Sequence, residues 1–128
     1  MGMINFGIPK KIALDLSLLH GVSVFVETGT YHGETARWAA EHFEFVHTVE
    51  QSESYFESHC KALSELAGVK SYCADSRVVF PEILSSIGDR KALHWLDSHW
   101  FGAETAGEND QCPLLGELAC LSERHQDI

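Results

Sequence analysis

The stretch Val22–Thr35, VSVFVETGTYHGET, decides how the rest of the chain is read. Its first half, Val22–Glu27, is a short apolar run rich in β-branched residues, the composition of a strand buried on both faces. Its second half sets Gly29 and Gly33 four positions apart, with Thr28, Thr30, Tyr31 and Thr35 around them. Glycine there lets the backbone bend sharply and come close to a ligand. The free N–H groups and the dipole of a helix that starts at such a turn favour a negatively charged or strongly polar group.

Working outward, three more runs read as strands: Phe45–Glu50, Val69–Ala74 and Ala92–Asp97. Between them lie segments of helical period. Ala36, Ala39, Ala40 and Phe43 form one face; Phe56, Cys60, Leu63 and Ala67 form another, with Ser54 and Glu57 spaced as a capping box. Pro81 is comfortable only in a first turn, so the third of these helices should begin near Phe80 and stop at Gly88. An amphipathic helix over Pro9–His20, with Ile12, Leu16 and Leu19 on its apolar stripe, should precede the first strand. A last helix should start near Pro113 and carry Leu114, Leu118 and Leu121 inward. Strands that alternate with helices pair in parallel, because a parallel neighbour cannot be reached by a tight turn. The expectation is one α/β domain over residues 1–128: a three-layer, doubly wound parallel sheet of about four strands.

Composition narrows the function classes. The chain of 128 residues is 45% apolar with three tryptophans, so it has the material for a core. Nine Lys and Arg against nineteen Asp and Glu give a net charge of −10, and the scattered basic residues form no patch to collect phosphates; a nucleic-acid partner is disfavoured. Cys60, Cys73, Cys112 and Cys120 contain no CxxC, and Cys60 and Cys73 read as buried, which fits free thiols in a reducing, cytoplasmic compartment. No apolar run approaches the ~20 residues that span a bilayer, and the start lacks the pattern of an export signal, so no membrane partner is expected. No pair of the eight histidines is spaced as a zinc motif.

The turn lacks the GxGxxG of a dinucleotide fingerprint. It does carry an acid, Glu27, two positions before its first glycine, and VFVETGTYHGET resembles motif I of the class I S-adenosylmethionine-dependent methyltransferases, a Rossmann-like family. Tyr31 stands where that family has its middle glycine. The resemblance implies S-adenosyl-L-methionine as cofactor, with Glu27 facing its methionine end and Gly29, Thr30, Tyr31, Gly33 and Thr35 forming the turn around it. Glu50, at the end of the second strand, is placed either to accept both hydroxyls of a ribose or to begin a loop as a solvated charge. Asp75 and Ser76 match the family's position for the adenine amino group, and equally suit a helix cap.

After the fourth strand, LDSHWFGAETAGENDQCPLL resembles the corresponding methyltransferase segment. The resemblance makes Asp97 and His99 the candidates for the catalytic neighbourhood, His99 as a base. Asp97, with Glu104, Glu108 or Asp110, is a candidate for a divalent cation, the alternative being a solvated acidic loop. Trp95 reads as core; Trp100 is open between core and pocket wall. The family builds seven strands and this sequence supplies four, which suggests a partial domain lacking the C-terminal strands. The fourth strand would then be a bare edge, covered by the last helix or by a second copy of the chain in a homodimer. The functional expectation is a methyltransferase-like protein acting on a small molecule. A nicotinamide-dependent oxidoreductase-type domain and a non-catalytic, oligomerising module are the rivals.

Overall fold

The structure, a computed structural model, describes residues 7–97 and 114–128. Four strands, β1 Val24–Thr28, β2 Phe45–Glu50, β3 Val69–Cys73 and β4 Ala92–Leu96, form one sheet in the order β3-β2-β1-β4. All three pairings are parallel, with Glu27 opposite Thr48 on one side and Trp95 on the other. Period-2 alternation along β1 splits the core in two. Phe25 joins Ala13, Ala36, Ala39, Phe43, Cys60 and Leu63 on one face. Val24 and Val26 join Val79, Phe80, Ile83 and Ile87 on the other. This is the three-layer α/β architecture that the alternating pattern implies.

The helices are α1 Lys10–His20, α2 Glu34–His42, a single turn α3 Glu53–Tyr55, α4 Ser76–Ile87 and α5 Leu114–Leu121. After α3 the chain continues as a π-turn, Phe56–Cys60, and a 3-10 turn, Lys61–Glu65. Among the described residues, no helix is long and apolar enough to cross a membrane.

Several local expectations are corrected. β1 starts at Val24 rather than Val22 and runs through Glu27 to Thr28; β3 and β4 each stop one residue early. α4 begins at Ser76, not near Phe80, because Asp75 caps it by accepting from Arg77 N at 2.8 Å. Pro81 sits inside α4, where its missing N–H costs one helical hydrogen bond. Ser52, not Ser54, caps α3, accepting from Tyr55 N at 3.5 Å. Glu57 pairs with Lys61 instead of closing a capping box. Ala67 is exposed, since the irregular helix has already ended.

α1 turns Ala13 and Ser17 inward and leaves Ile12 and Leu19 59% and 76% exposed, so its expected stripe is not the buried one. Small side chains let that helix lie close to the sheet, and Ser17 satisfies its hydroxyl on the Ala13 carbonyl at 2.7 Å. α5 likewise leaves Leu114 and Leu118 partly exposed and buries Glu117 instead. Cys60 is buried but Cys73 is exposed, because β3 is an edge strand and Cys73 its last residue. Trp95 is partly buried against the first core cluster; Cys112, Pro113 and Trp100 lie outside the described residues.

The first half of the β4 edge is covered not by α5 itself but by the segment just after it. Ile128 N donates to the Ala92 carbonyl at 2.9 Å, and His94 N donates to the Ile128 carbonyl at 2.7 Å. The Asp127 carboxylate locks this contact, accepting from Ala92 N at 3.0 Å and His94 Nε2 at 2.8 Å. Arg124 reaches the same carboxylate and also donates to the Gly88 and Arg90 carbonyls at 2.8 and 2.7 Å. His94 Nδ1 is buried with no partner among the described residues, so a second proton there would leave an unsatisfied donor.

Two outcomes follow from this packing. Gly68 has φ +75°, and a Cβ there would run into the Glu44 carbonyl oxygen. Gly68→Ala should therefore cost about 2 kcal/mol or more in urea denaturation. Asp127→Asn should cost about 3 kcal/mol, because it breaks a buried ion pair and leaves Arg124 uncompensated. The pH profile tests the same cluster. Burial acts to raise the Asp127 carboxyl, but bonds from Arg124, His94 and the Ala92 amide outweigh it and hold it below the ordinary carboxylate range. Burial lowers His94 despite the opposing pull of Asp127. Both folded pKa values are depressed. His94's contribution is therefore complete above its ordinary 6.5 and lost as pH falls through its lowered value, and that of Asp127 is lost at still lower pH. Urea midpoints measured from pH 8 to 4 should fall less steeply in the parent than in Asp127→Asn, because the variant loses the charge that favours the protonated His94 ring.

Candidate functional site

The chain leaves β1 for β2 and β3 on one side, then returns to β4 on the other. This reversal puts a topological switch point between β1 and β4, where open parallel sheets bind ligands beyond their carboxyl ends. The parallel register brings Glu27, Glu50 and Asp97 to those ends. Asp97 is exposed just past β4, and its amide donates to the Thr28 carbonyl at 3.0 Å.

Glu27 is 2% exposed, held inside a strand that is paired on both edges. Thr48 Oγ1 donates to its Oε2 at 2.6 Å, and Thr48 Oγ1 lies 2.6 Å from Thr30 Oγ1. A hydroxyl has one proton to give. When Glu27 is ionised Thr48 spends it on that carboxylate, and Thr30 is then the donor to Thr48. Burial pushes the Glu27 carboxyl up to about 8; the Thr48 bond opposes this, and the fields of Asp97 and Glu50 add to it.

The glycine turn is pinned from both sides. Gly29 N and Thr30 N donate to the Val49 carbonyl at 2.8 and 3.2 Å, and the Cys60 thiol reaches the Tyr31 carbonyl at 3.4 Å. Tyr31 takes a left-handed φ of 52°, alone among the described non-glycine residues, and is 51% exposed. That conformation aims its amide at Glu50 Oε1, 3.0 Å away, while Ser52 N donates to Oε2 at 2.9 Å. Gly33 caps α2 at φ 84°, and a Cβ there would stand 3.2 Å from Leu63. The missing side chain allows close contact with the 3-10 turn. Thr35 is half-buried in the first turn of α2, with Gly7 beside its hydroxyl.

Both readings of the β3 end had a cap among them, and the cap is formed. Asp75 holds Arg77 through Nε at 3.0 Å and the second nitrogen at 2.6 Å, besides accepting its amide. The Arg77 bonds, against the opposing effect of burial, keep the Asp75 carboxyl below its ordinary range. Ser76 is 3% exposed and bonds Glu117, which anchors α5 over α4. Burial raises the Glu117 carboxyl, and Gly116 is required beside it because a Cβ would strike the Arg77 side chain.

Thr48, Ser52 and Glu117 were not singled out from the sequence. Thr48 carries a signal in hindsight: it shares a face with Glu50 by strand alternation. Only the pairing register, however, sets it against Glu27. His99, Glu104, Glu108 and Asp110 lie outside the described residues. Among the described residues no group of three or more His, Cys, Asp or Glu is arranged to hold a metal, and the cation reading of Asp97 gains no support. A shallow groove lined by Arg37, Ala40, Glu41, Leu66 and Ala67 includes none of the strand-end residues.

No family model matches the sequence, and no curated protein matches it. Among solved structures, the fold is similar to the crystal structure of the O-methyltransferase TomG from Streptomyces achromogenes, involved in tomaymycin synthesis, in complex with SAM. The TM-score is 0.54 at 22% sequence identity, and the match covers 74% of this chain. It spans 46% of that protein, so the chain corresponds to about half of its length. At this identity the likeness is one of fold: a parallel, Rossmann-like α/β sheet shared with an S-adenosylmethionine-dependent methyltransferase.

Proposed function

We propose that the chain is a methyltransferase-like protein that binds S-adenosyl-L-methionine beyond the carboxyl ends of β1, β2 and β4, and that the transferred methyl goes to a small molecule. The observation that carries the reading is the state of Glu50. Each of its oxygens accepts one backbone amide, from Tyr31 and from Ser52. A carboxylate oxygen has two lone-pair directions, so each keeps one for a further donor. A ribose presents two adjacent hydroxyls, a matching pair of donors, and the two amides hold the carboxylate still to receive them.

Charge supports the same reading. Glu27, Glu50 and Asp97 stand close enough for the fields of the last two to act on Glu27. Like charges this near favour a cationic ligand, and S-adenosylmethionine carries a sulfonium and an ammonium. The cofactor would supply an already activated methyl group, so this chain's residues need do little beyond positioning. In this reading Glu27 faces the methionine end and Gly29, Thr30, Tyr31, Gly33 and Thr35 shape the turn. Asp75 and Ser76 border the adenine side, although their bonds to Arg77 and Glu117 already give them structural work. In the same reading Asp97 and His99 serve the methyl acceptor, with His99 as the candidate base.

Calorimetric titration with S-adenosylhomocysteine tests the proposal. The parent should bind, and Glu50→Gln, which keeps the shape but has one acceptor oxygen instead of two, should weaken binding roughly tenfold or more. Its thermal melt should show that it remains folded. No heat from the parent would remove the reading.

A further inference from the structure

Thr48 is fully buried in the middle of β2, and the proposed cofactor chemistry gives it no task. We infer that Thr48 is a positioning residue: oriented by Thr30, its hydroxyl fixes one oxygen of Glu27 as an acceptor and leaves the other to a cationic α-amino group, so that a ligand bearing that group enters as Glu27 gives up a proton. The inference rests on the proposed cofactor site and concerns how that site is regulated.

The geometry sets the roles of the two Glu27 oxygens. With Glu27 ionised, Thr30 donates to Thr48 and Thr48 donates to Oε2, so Oε2 is committed as an acceptor. Oε1 accepts from none of the described residues and is the oxygen left for a ligand once Glu27 is ionised. The relay joins two elements: Thr30 belongs to the glycine turn and Thr48 to β2, so the carboxyl cannot rotate without breaking a bond to one or displacing the other.

The surroundings decide that a proton is present. The charged groups that act on Glu27 are Asp97 from the end of β4 and Glu50 from β2, both acidic and both raising it. Burial and these two fields hold the carboxyl at about 8, against the pull of Thr48. An arriving ammonium reverses the balance, and the exchange is complete in itself: Glu27–COOH and R–NH3+ become Glu27–COO⁻ paired with R–NH3+, and one proton passes to solvent. Because the free protein holds this proton and the complex does not, affinity must rise with pH up to about 8 and fall again where the ligand's own ammonium loses its proton.

The test is calorimetry of S-adenosylhomocysteine binding in two buffers of different ionisation heat, from pH 6 to 9. With the parent, about one proton should be released per ligand at pH 7, less as pH passes 8 and with uptake where the ligand amine is neutral, and affinity should rise roughly tenfold per pH unit well below 8. 5′-Methylthioadenosine has the nucleoside and thioether but no α-amino group, and should bind with no proton released. Glu27→Gln should abolish both proton release and pH dependence. Thr48→Val, which keeps the shape without the hydroxyl, should weaken S-adenosylhomocysteine roughly tenfold and leave 5′-methylthioadenosine unchanged. Thr48→Ser should restore the parent behaviour, which a purely structural loss in the valine variant would not explain. Binding of S-adenosylhomocysteine without proton release, or equal loss of both ligands in Thr48→Val, overturns this inference alone. Absence of binding at every pH overturns it together with the cofactor reading.

Discussion

The pairing of β1 on both edges is the constraint from which the cleft is built. Parallel ladders to β2 and β4 take up its backbone groups and strip it of water. Glu27 rides on that strand and is buried with it. A carboxylate in such a place is costly unless it is hydrogen-bonded or neutralised, and the protein uses both remedies. A threonine on the adjacent strand donates to one oxygen, and the carboxyl pKa is raised enough for it to hold a proton near neutral pH.

From that strand the rest of the site is placed by register. The glycine turn hangs from the end of β1 and is tied to β2 through Val49 and Glu50, and to the π-turn through Cys60. Burial pushes the Cys60 thiol up to about 12, so it serves as an anchor, not as a nucleophile. The left-handed Tyr31 is the visible cost of this tethering, and its amide is what holds Glu50. Turn, relay and strand-end acids are thus one connected unit.

The opposite face of the sheet is secured by different means. Glu117 and Ser76 bind α5 to α4, and Asp127 with Arg124 and His94 closes the early part of the β4 edge. These are buried polar contacts on elements whose leucines remain partly exposed. Apolar periodicity alone therefore pointed to the wrong faces of α1 and α5. Polar groups that find a buried partner can outweigh a leucine stripe in choosing which side of a helix turns inward.

The sequence by itself determined the four strands, their parallel pairing, and the acid-and-glycine turn between the first strand and its helix, because alternation, chain length and glycine are local properties. It also located Glu27, Glu50 and Asp97 at strand ends. It could not determine which side chain faces which across the ladder. Thr48 reads as an ordinary strand residue until the register sets it opposite Glu27, and Glu117 as an ordinary helix acid until Ser76 meets it. Those pairings join residues 21 and 41 positions apart. Only tertiary packing decides them, since the free energy of a buried hydrogen bond depends on where water is excluded.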